Sequence, residues 1–88
     1  MPIRVSKTRV DLEDNMLVRP ILRDYGELVV RGDSSTAYTV DLTTGNVFEI
    51  TMTGNCTFTF SNPSPAGNAC SFTLILIQDG TGSRTATW

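Results

Sequence analysis

The chain has 88 residues, a formal net charge of −2 and a charged share of 18%. This length allows one small domain, which buries a smaller share of its surface than a typical domain and is often stabilised by oligomerisation. The weak acidity argues against a protein that binds a phosphate backbone, because such proteins need clustered Lys and Arg, so we expect no nucleic-acid partner.

Residues 1–27 are charged and irregular, and we interpret them as an N-terminal attachment arm. A helix over 12–22 would contain Pro20, which removes a hydrogen-bond donor, so an extended arm is favoured. The mixed charges indicate either a solvated, salt-bridged segment or a docking arm that becomes ordered on its partner. The candidate docking residues are Arg4, Lys7, Arg9, Arg19, Arg23 and Tyr25.

Residues 28–88 form a second region, a succession of short segments in which apolar and polar residues alternate. This period of two predicts β-strands around 38–42, 47–53, 56–61 and 72–77, with a final strand over 83–88. The proline-containing stretch 61–68 must be a loop. The strand around 74–77 is apolar on both faces, which predicts the most central strand. The predicted core residues are Phe48, Ile50, Phe58, Phe60, Phe72, Leu74 and Leu76.

Strands of this length and spacing predict an all-β fold, with short antiparallel strands in a β-sandwich or an open-barrel-like module. Threonines occupy most of the predicted outward positions, which suits a stiff, hydrated surface. A single sheet of four or five strands would leave one face uncovered. The last predicted strand ends at Trp88 without a turn, so we expect an incomplete module that further residues or a neighbouring subunit would cover.

The composition offers little for catalysis. The chain has no histidine, which removes the commonest general base at neutral pH and the commonest metal ligand. Cys56 and Cys70 do not make a tetrahedral zinc site, and we expect both to act as small core hydrophobes. Asp41 and Glu49 lie on neighbouring predicted strands and are weak candidates for a glycosidase pair. We predict no enzyme, no catalytic residues, no metal and no cofactor.

Several motifs resemble a module that is common in tailed-phage virion proteins, usually tail fibres. They are the turns Thr44-Gly45-Asn46 and Thr53-Gly54-Asn55, the loop entry Phe60-Ser61-Asn62-Pro63, and the stretches 71–79 and 82–88. The resemblance covers roughly residues 20–88. It implies a structural component of a bacteriophage virion, assembled in the bacterial host cytoplasm. Because phage fibres are usually trimers, it also implies a homotrimer.

The resemblance leaves the place of the chain on the particle open. The leading interpretation is a tail fibre whose N-terminal part docks onto the tail, an adaptor or the capsid. The alternatives are a capsid decoration or cement protein, and a carbohydrate-binding module in host recognition that stacks sugars on Tyr25, Tyr38 or Trp88. A host surface glycan or receptor would bind through residues beyond Trp88. No apolar run is long enough to span a bilayer, so we expect no membrane insertion.

Overall fold

A computed structural model describes residues 4–88, so the first three residues of the predicted arm lie outside the described part. Within it the chain forms eight β-strands and no helix, which confirms the predicted all-β fold. The strands are β1 Arg4–Val5, β2 Val10–Asp11, β3 Val29–Asp33, β4 Ala37–Asp41, β5 Val47–Met52, β6 Cys56–Ser61, β7 Thr73–Gln78 and β8 Ala86–Thr87.

Residues 29–87 form two parallel sheets of three strands each, in the orders β3-β5-β7 and β4-β6-β8. Successive strands therefore alternate between the sheets, and the chain winds through three stacked coils. We call them coil 1 (β3 and β4), coil 2 (β5 and β6) and coil 3 (β7 and β8). This is the arrangement of a short β-solenoid, in which each coil rests on its neighbours.

The predicted antiparallel sandwich or open barrel is wrong in its strand directions. Among the described strands only β1 and β2 pair antiparallel, with Arg4 opposite Asp11 and Val5 opposite Val10. Parallel strands need a long crossover connection, and here each crossover contains the intervening strand of the other sheet. Alternation of side chains is the same in parallel and antiparallel strands, so the pattern carries no information about direction.

The hydrophobic core lies between the two sheets and is centred on coil 2. The fully buried apolar side chains are no more than 2% exposed, and they are Val40, Phe48, Ile50, Met52, Cys56 and Phe58. They occupy alternate positions of β5 and β6, with Val40 added from β4. Burying one such large side chain stabilises the fold by roughly 1.5–3 kcal/mol.

The predicted core residues divide into three groups. Phe48, Ile50 and Phe58 are buried, whereas Leu74 and Leu76 are partly buried against the same cluster. Two predictions are wrong, because Phe60 is 43% exposed and Phe72 is 38% exposed.

Phe60 is exposed because coil 3 does not extend over it. The short strand β8 pairs only with Cys56 and Thr57 of β6, so nothing in coil 3 stacks on the later residues of that strand. Phe72 precedes β7, in the connection that enters coil 3. The two rings contact each other instead, with centroids 5.4 Å apart.

Strand β7 is at an edge, which corrects the prediction that it is the most central strand. It pairs with β5 on one side, and the described residues supply no strand on its other side. Its outward side chains Ile75 and Ile77 are each 41% exposed. The apolar pattern shows that both faces of the strand favour burial, but it does not locate the strand in the sheet.

The cysteines differ from each other in burial. Cys56 is buried in the core as predicted, whereas Cys70 is exposed in the connection between β6 and β7. The prediction that both act as core hydrophobes is therefore wrong for Cys70. The proline-rich connection holds it outside the stacked coils, where no facing sheet covers it.

Polar contacts at the corners of the solenoid fix the spacing between coils. Ser34, at the corner between β3 and β4, is 1% exposed. Its backbone N–H donates to the carbonyl oxygen of Thr51 at 2.9 Å, and its Oγ accepts from the N–H of Thr53 at 3.2 Å. At another corner, a Cβ on Gly45 would lie 2.9 Å from both the Leu28 carbonyl oxygen and Val30 Cγ2. This close approach requires glycine.

The arm consists of the β1–β2 hairpin and an extended segment that leads into β3 and bends at Arg19 and Asp24, where φ is 57° and 52°. The Ser6 N–H donates to the Arg9 carbonyl oxygen at 2.8 Å, which closes the hairpin turn. No strand or helix forms over 12–28. The radius of gyration is 16.1 Å, whereas a compact chain of this length has about 12 Å. The arm therefore extends the molecule beyond a compact domain.

Candidate assembly surfaces

The described residues provide surfaces rather than a cleft. Across residues 4–88 there is no pocket and no group of three acidic, cysteine or histidine side chains placed to hold a metal ion. Within the same range, no helical segment has the length and apolarity needed to cross a bilayer. The arm and the outer faces of the coils are the exposed surfaces of these residues.

All six predicted docking residues are exposed on the arm. Arg4 lies on β1, where its Nε is 2.6 Å from Glu13 Oε1. Lys7 and Arg9 belong to the hairpin turn and the residues beside it. Arg19, Arg23 and Tyr25 follow along the extended segment, all exposed to solvent. The arm thus offers basic side chains that the rest of the chain does not cover.

Threonines line the outer face of the β4-β6-β8 sheet. Thr39 and Thr59 are neighbours in the β4–β6 register, and their Oγ1 atoms are 3.1 Å apart. Thr57 and Thr87 are neighbours in the β6–β8 register. This face is hydrated without charge, so a protein partner could cover it at a low cost in lost charge solvation.

The acidic side chain at the end of β4 is engaged within the fold. Asp41 Oδ1 accepts from Asn62 Nδ2 at 2.9 Å, from Thr43 Oγ1 at 2.7 Å and from the Thr43 N–H at 3.1 Å. These hydrogen bonds, that from Asn62 above all, hold the pKa of Asp41 below its usual range. The ionised carboxylate joins the end of coil 1 to the loop that follows β6 in coil 2.

Asp41 and Glu49 do not form a catalytic pair. They lie on different sheets, and Glu49 forms an ion pair with Arg31 at 3.5 Å across the β3–β5 register. Each carboxylate therefore has a structural partner of its own. The arrangement supplies neither the facing acids nor the cleft that glycoside cleavage needs.

The loop after β7 contains a polar cluster that the sequence analysis did not identify. Arg84 donates from Nε and Nη2 to the two carboxylate oxygens of Asp79, at 3.3 and 3.1 Å. This contact, above all, lowers the pKa of Asp79. The Gln78 side-chain amide also exchanges two hydrogen bonds of 2.9 Å with the backbone of Arg84. An Asp at the start of a glycine-rich turn with a following Arg was the available signal.

The third coil carries exposed apolar side chains. Strand β7 has no charged residue, and Ile75 and Ile77 point outward from it. Trp88 is largely exposed, although its ring lies 6.1 Å from that of Phe58. Exposed apolar strands at a sheet edge are typical of interfaces.

Residues 38–88, which run from β4 to the end of coil 3, match the family described as "Putative phage tail fibre C-terminal domain". The match covers more than half of the chain. The chain belongs to this family of phage tail fibre domains. No curated protein and no solved structure matches it. The predicted resemblance to tail-fibre-type virion proteins is confirmed, and membership of the family indicates a structural, virion-associated role.

Proposed function

We propose that this tail fibre protein is a structural subunit that docks onto the virion through its N-terminal arm and assembles as a homotrimer. The observation that carries the proposal is the division of the chain. A tail fibre domain over 38–88 is preceded by an arm whose basic and apolar side chains remain exposed.

The docking part of the proposal rests on charge and exposure. Arg4, Lys7, Arg9, Arg19, Arg23 and Tyr25 are all exposed. Over residues 4–27 the five basic residues are balanced by five acidic ones, but residues 4–10 contain Arg4, Lys7 and Arg9 and no acidic residue. An acidic surface on a tail, adaptor or capsid protein would complement this stretch. Contacts between exposed charges of this kind weaken as salt concentration rises.

The oligomer part rests on surface area. The chain exposes 6996 Å², whereas a compact monomer of this mass exposes about 5,100 Å². A standard interface buries roughly 800 Å² on each partner. The excess of about 1,900 Å² is therefore enough for two such interfaces per chain, as each member of a threefold ring has.

The proposed role is mechanical and needs no cofactor. In the described residues Asp41, Glu49 and Asp79 are each engaged in hydrogen bonds or ion pairs that hold the fold together. No histidine is present to act as a base. We therefore propose no catalytic activity for this chain.

Two measurements test the proposal. Sedimentation equilibrium at micromolar concentration should give three times the chain mass of 9.6 kDa, and a monomer would contradict the trimer. Phage particles that carry the combined changes Arg4→Gln, Lys7→Gln and Arg9→Gln should lose this protein, while the fold and the oligomer persist.

The matched control for docking keeps the charge of the same three positions, with the combined changes Arg4→Lys, Lys7→Arg and Arg9→Lys. Particles with the control should retain the protein. Retention of the triple glutamine variant at the control level would contradict docking through the arm. A particle map with the chain spread over the capsid lattice would replace the fibre with the decoration-protein alternative.

A further inference from the structure

Among the exposed apolar surfaces of residues 4–88, two are continuous stretches of chain that no other described element covers. One is the apolar arm segment, residues 16–22, whose five large apolar side chains are 62–96% exposed; they are Met16, Leu17, Val18, Ile21 and Leu22. The other is the β7 edge, defined as strand β7 with its outward side chains Ile75 and Ile77.

The two edges of the β3-β5-β7 sheet differ in their protection. Strand β3 carries Arg31 and Asp33, the kind of charged residues that discourage pairing at a sheet edge. Strand β7 has no charge, is apolar on both faces and leaves one row of backbone groups without a strand partner in the described residues. The β7 edge is therefore the one suited to an interface.

The arm of the same chain does not cover the β7 edge. The Leu28 carbonyl oxygen accepts from the N–H groups of Asn46 and Val47, at 2.9 and 3.2 Å, which fixes the arm where it enters β3. Strands β3 and β7 are opposite edges of the sheet. The apolar side chains of the arm segment are 62–96% exposed, so they contact little of the coils.

We propose that the apolar arm segment of one copy packs on the β7 edge of a neighbouring copy. This inference rests on the proposed homo-oligomer and names its contact surfaces. The segment bends at Arg19, whose φ is 57°. If this bend straightens on docking, seven residues span at most about 23 Å, which is enough to follow the six residues of β7 over about 20 Å. Pro20 is compatible with an outermost position, because prolines in sheets occur at edges.

The contact between the apolar arm segment and the β7 edge also accounts for the covering of the exposed apolar area of each copy. Each copy offers one apolar arm segment and one β7 edge, so every copy gives one contact and receives one. In a closed ring, such a head-to-tail contact leaves no apolar arm segment without a partner. The hairpin residues Arg4, Lys7 and Arg9 remain available for the virion, whereas Arg19 lies within the segment that packs on the neighbouring copy.

Site-directed cross-linking tests the contact. Two chains of different tag length, each with Cys70→Ser, are co-expressed, one with Ile21→Cys and the other with Ile77→Cys. The remaining cysteine, Cys56, is buried. Mild oxidation should give the mixed disulfide dimer as the main cross-linked species. Leu17→Cys provides a second arm position on the same segment.

The matched control places the second cysteine on the opposite sheet. Thr57→Cys is an exposed position of β6 on the threonine face and should give at least fivefold less mixed dimer with Ile21→Cys. Equal yields of mixed dimer from Ile77→Cys and Thr57→Cys would overturn this contact. So would the absence of mixed dimer from both arm positions in a protein that is still oligomeric, and neither result would contradict the oligomer itself. A monomer in sedimentation would overturn both. A single chain that carries both Ile21→Cys and Ile77→Cys tests the remaining arrangement. If a disulfide forms only within such a chain and never between chains, the arm folds back on its own β7 and the proposed contact is wrong.

Discussion

The solenoid and the arm contain similar apolar residues and place them in opposite environments. In coil 2, Phe48 and Ile50 are buried because each coil supplies an inner face that the opposite sheet covers. In the arm, Met16 and Ile21 are the most exposed of the large apolar side chains in residues 4–88. Apolar composition alone therefore does not determine burial. Burial also requires a neighbouring element that covers the side chain. Within residues 4–88 the coils provide such an element for each other, whereas the arm segment has none.

The largest expected difference between the regions comes from removing a core aromatic. Phe58 is buried between the sheets, with its ring 6.1 Å from those of Tyr38 and Trp88. Phe58→Ala should lower the free energy of unfolding by about 3–5 kcal/mol, because it leaves a cavity that the stacked coils cannot close. Urea denaturation followed by circular dichroism measures this change.

The control for Phe58→Ala is the next residue on the same strand. Thr57 points outward, so Thr57→Ala should change the free energy of unfolding by no more than about 0.5 kcal/mol. Equal effects at the two positions would show that the inner and outer faces of β6 are assigned wrongly.

A smaller effect is expected where the arm enters the solenoid. Gly45→Ala should cost about 1–3 kcal/mol, since the added methyl meets the Leu28 carbonyl oxygen and Val30 Cγ2 at 2.9 Å. Gly80→Ala is the matched control, because a Cβ there meets nothing within 4 Å. Thermal unfolding should distinguish the two variants. A stable Gly45→Ala protein would mean that residue 28 is not held against the turn between β4 and β5.

The pH dependence of stability sharpens the comparison at coil 3. Arg84 lowers the pKa of Asp79 below the value of 3.8 that the carboxyl has in the unfolded chain. The ion pair therefore contributes stability that is fully present above pH 3.8 and is lost as pH falls through the lower, folded-state pKa. Unfolding midpoints of the protein and of Asp79→Asn should differ at pH 5 and converge towards pH 2. A constant difference would contradict this account.

The smallest effect is expected in the arm. The Arg4–Glu13 pair is short, but the Arg4 side chain is mostly exposed. Exposed ion pairs contribute between zero and about 1 kcal/mol. Glu13→Gln should therefore leave the unfolding midpoint of the coils nearly unchanged, even at low salt. A marked loss would show that the hairpin and the coils unfold together.

Part of this fold could be predicted from the sequence because period-two alternation reports which side of a strand is buried. It identified β4 to β7 and placed Thr39, Thr57 and Thr59 on the outer face. It did not identify β3, whose Arg31-Gly32-Asp33 sequence is typical of a turn. That segment is a strand because it pairs along its whole length with β5. Such long-range pairing overrides local preference and leaves no local signal.

The exposure of a side chain could be predicted from the sequence only where it follows from the residue type. Exposure of the basic arm residues follows from their charge and from the absence of a periodic pattern around them. The Asp79–Arg84 pair and the buried Ser34 depend on how two coils meet, which no single segment encodes. The exposure of Phe60 depends likewise on the short length of β8.

The stacking of the coils determines how the fold responds to force. The arm joins coil 1, Trp88 ends coil 3, and the hydrogen bonds between coils run along the line that connects them. A force applied between the arm and the end of coil 3 acts parallel to the hydrogen bonds that join the coils. These hydrogen bonds therefore break one after another, instead of resisting the force all at once as they would in shear. A single copy is therefore weakest along its own stacking axis, and tension on a fibre is better carried by links between neighbouring copies.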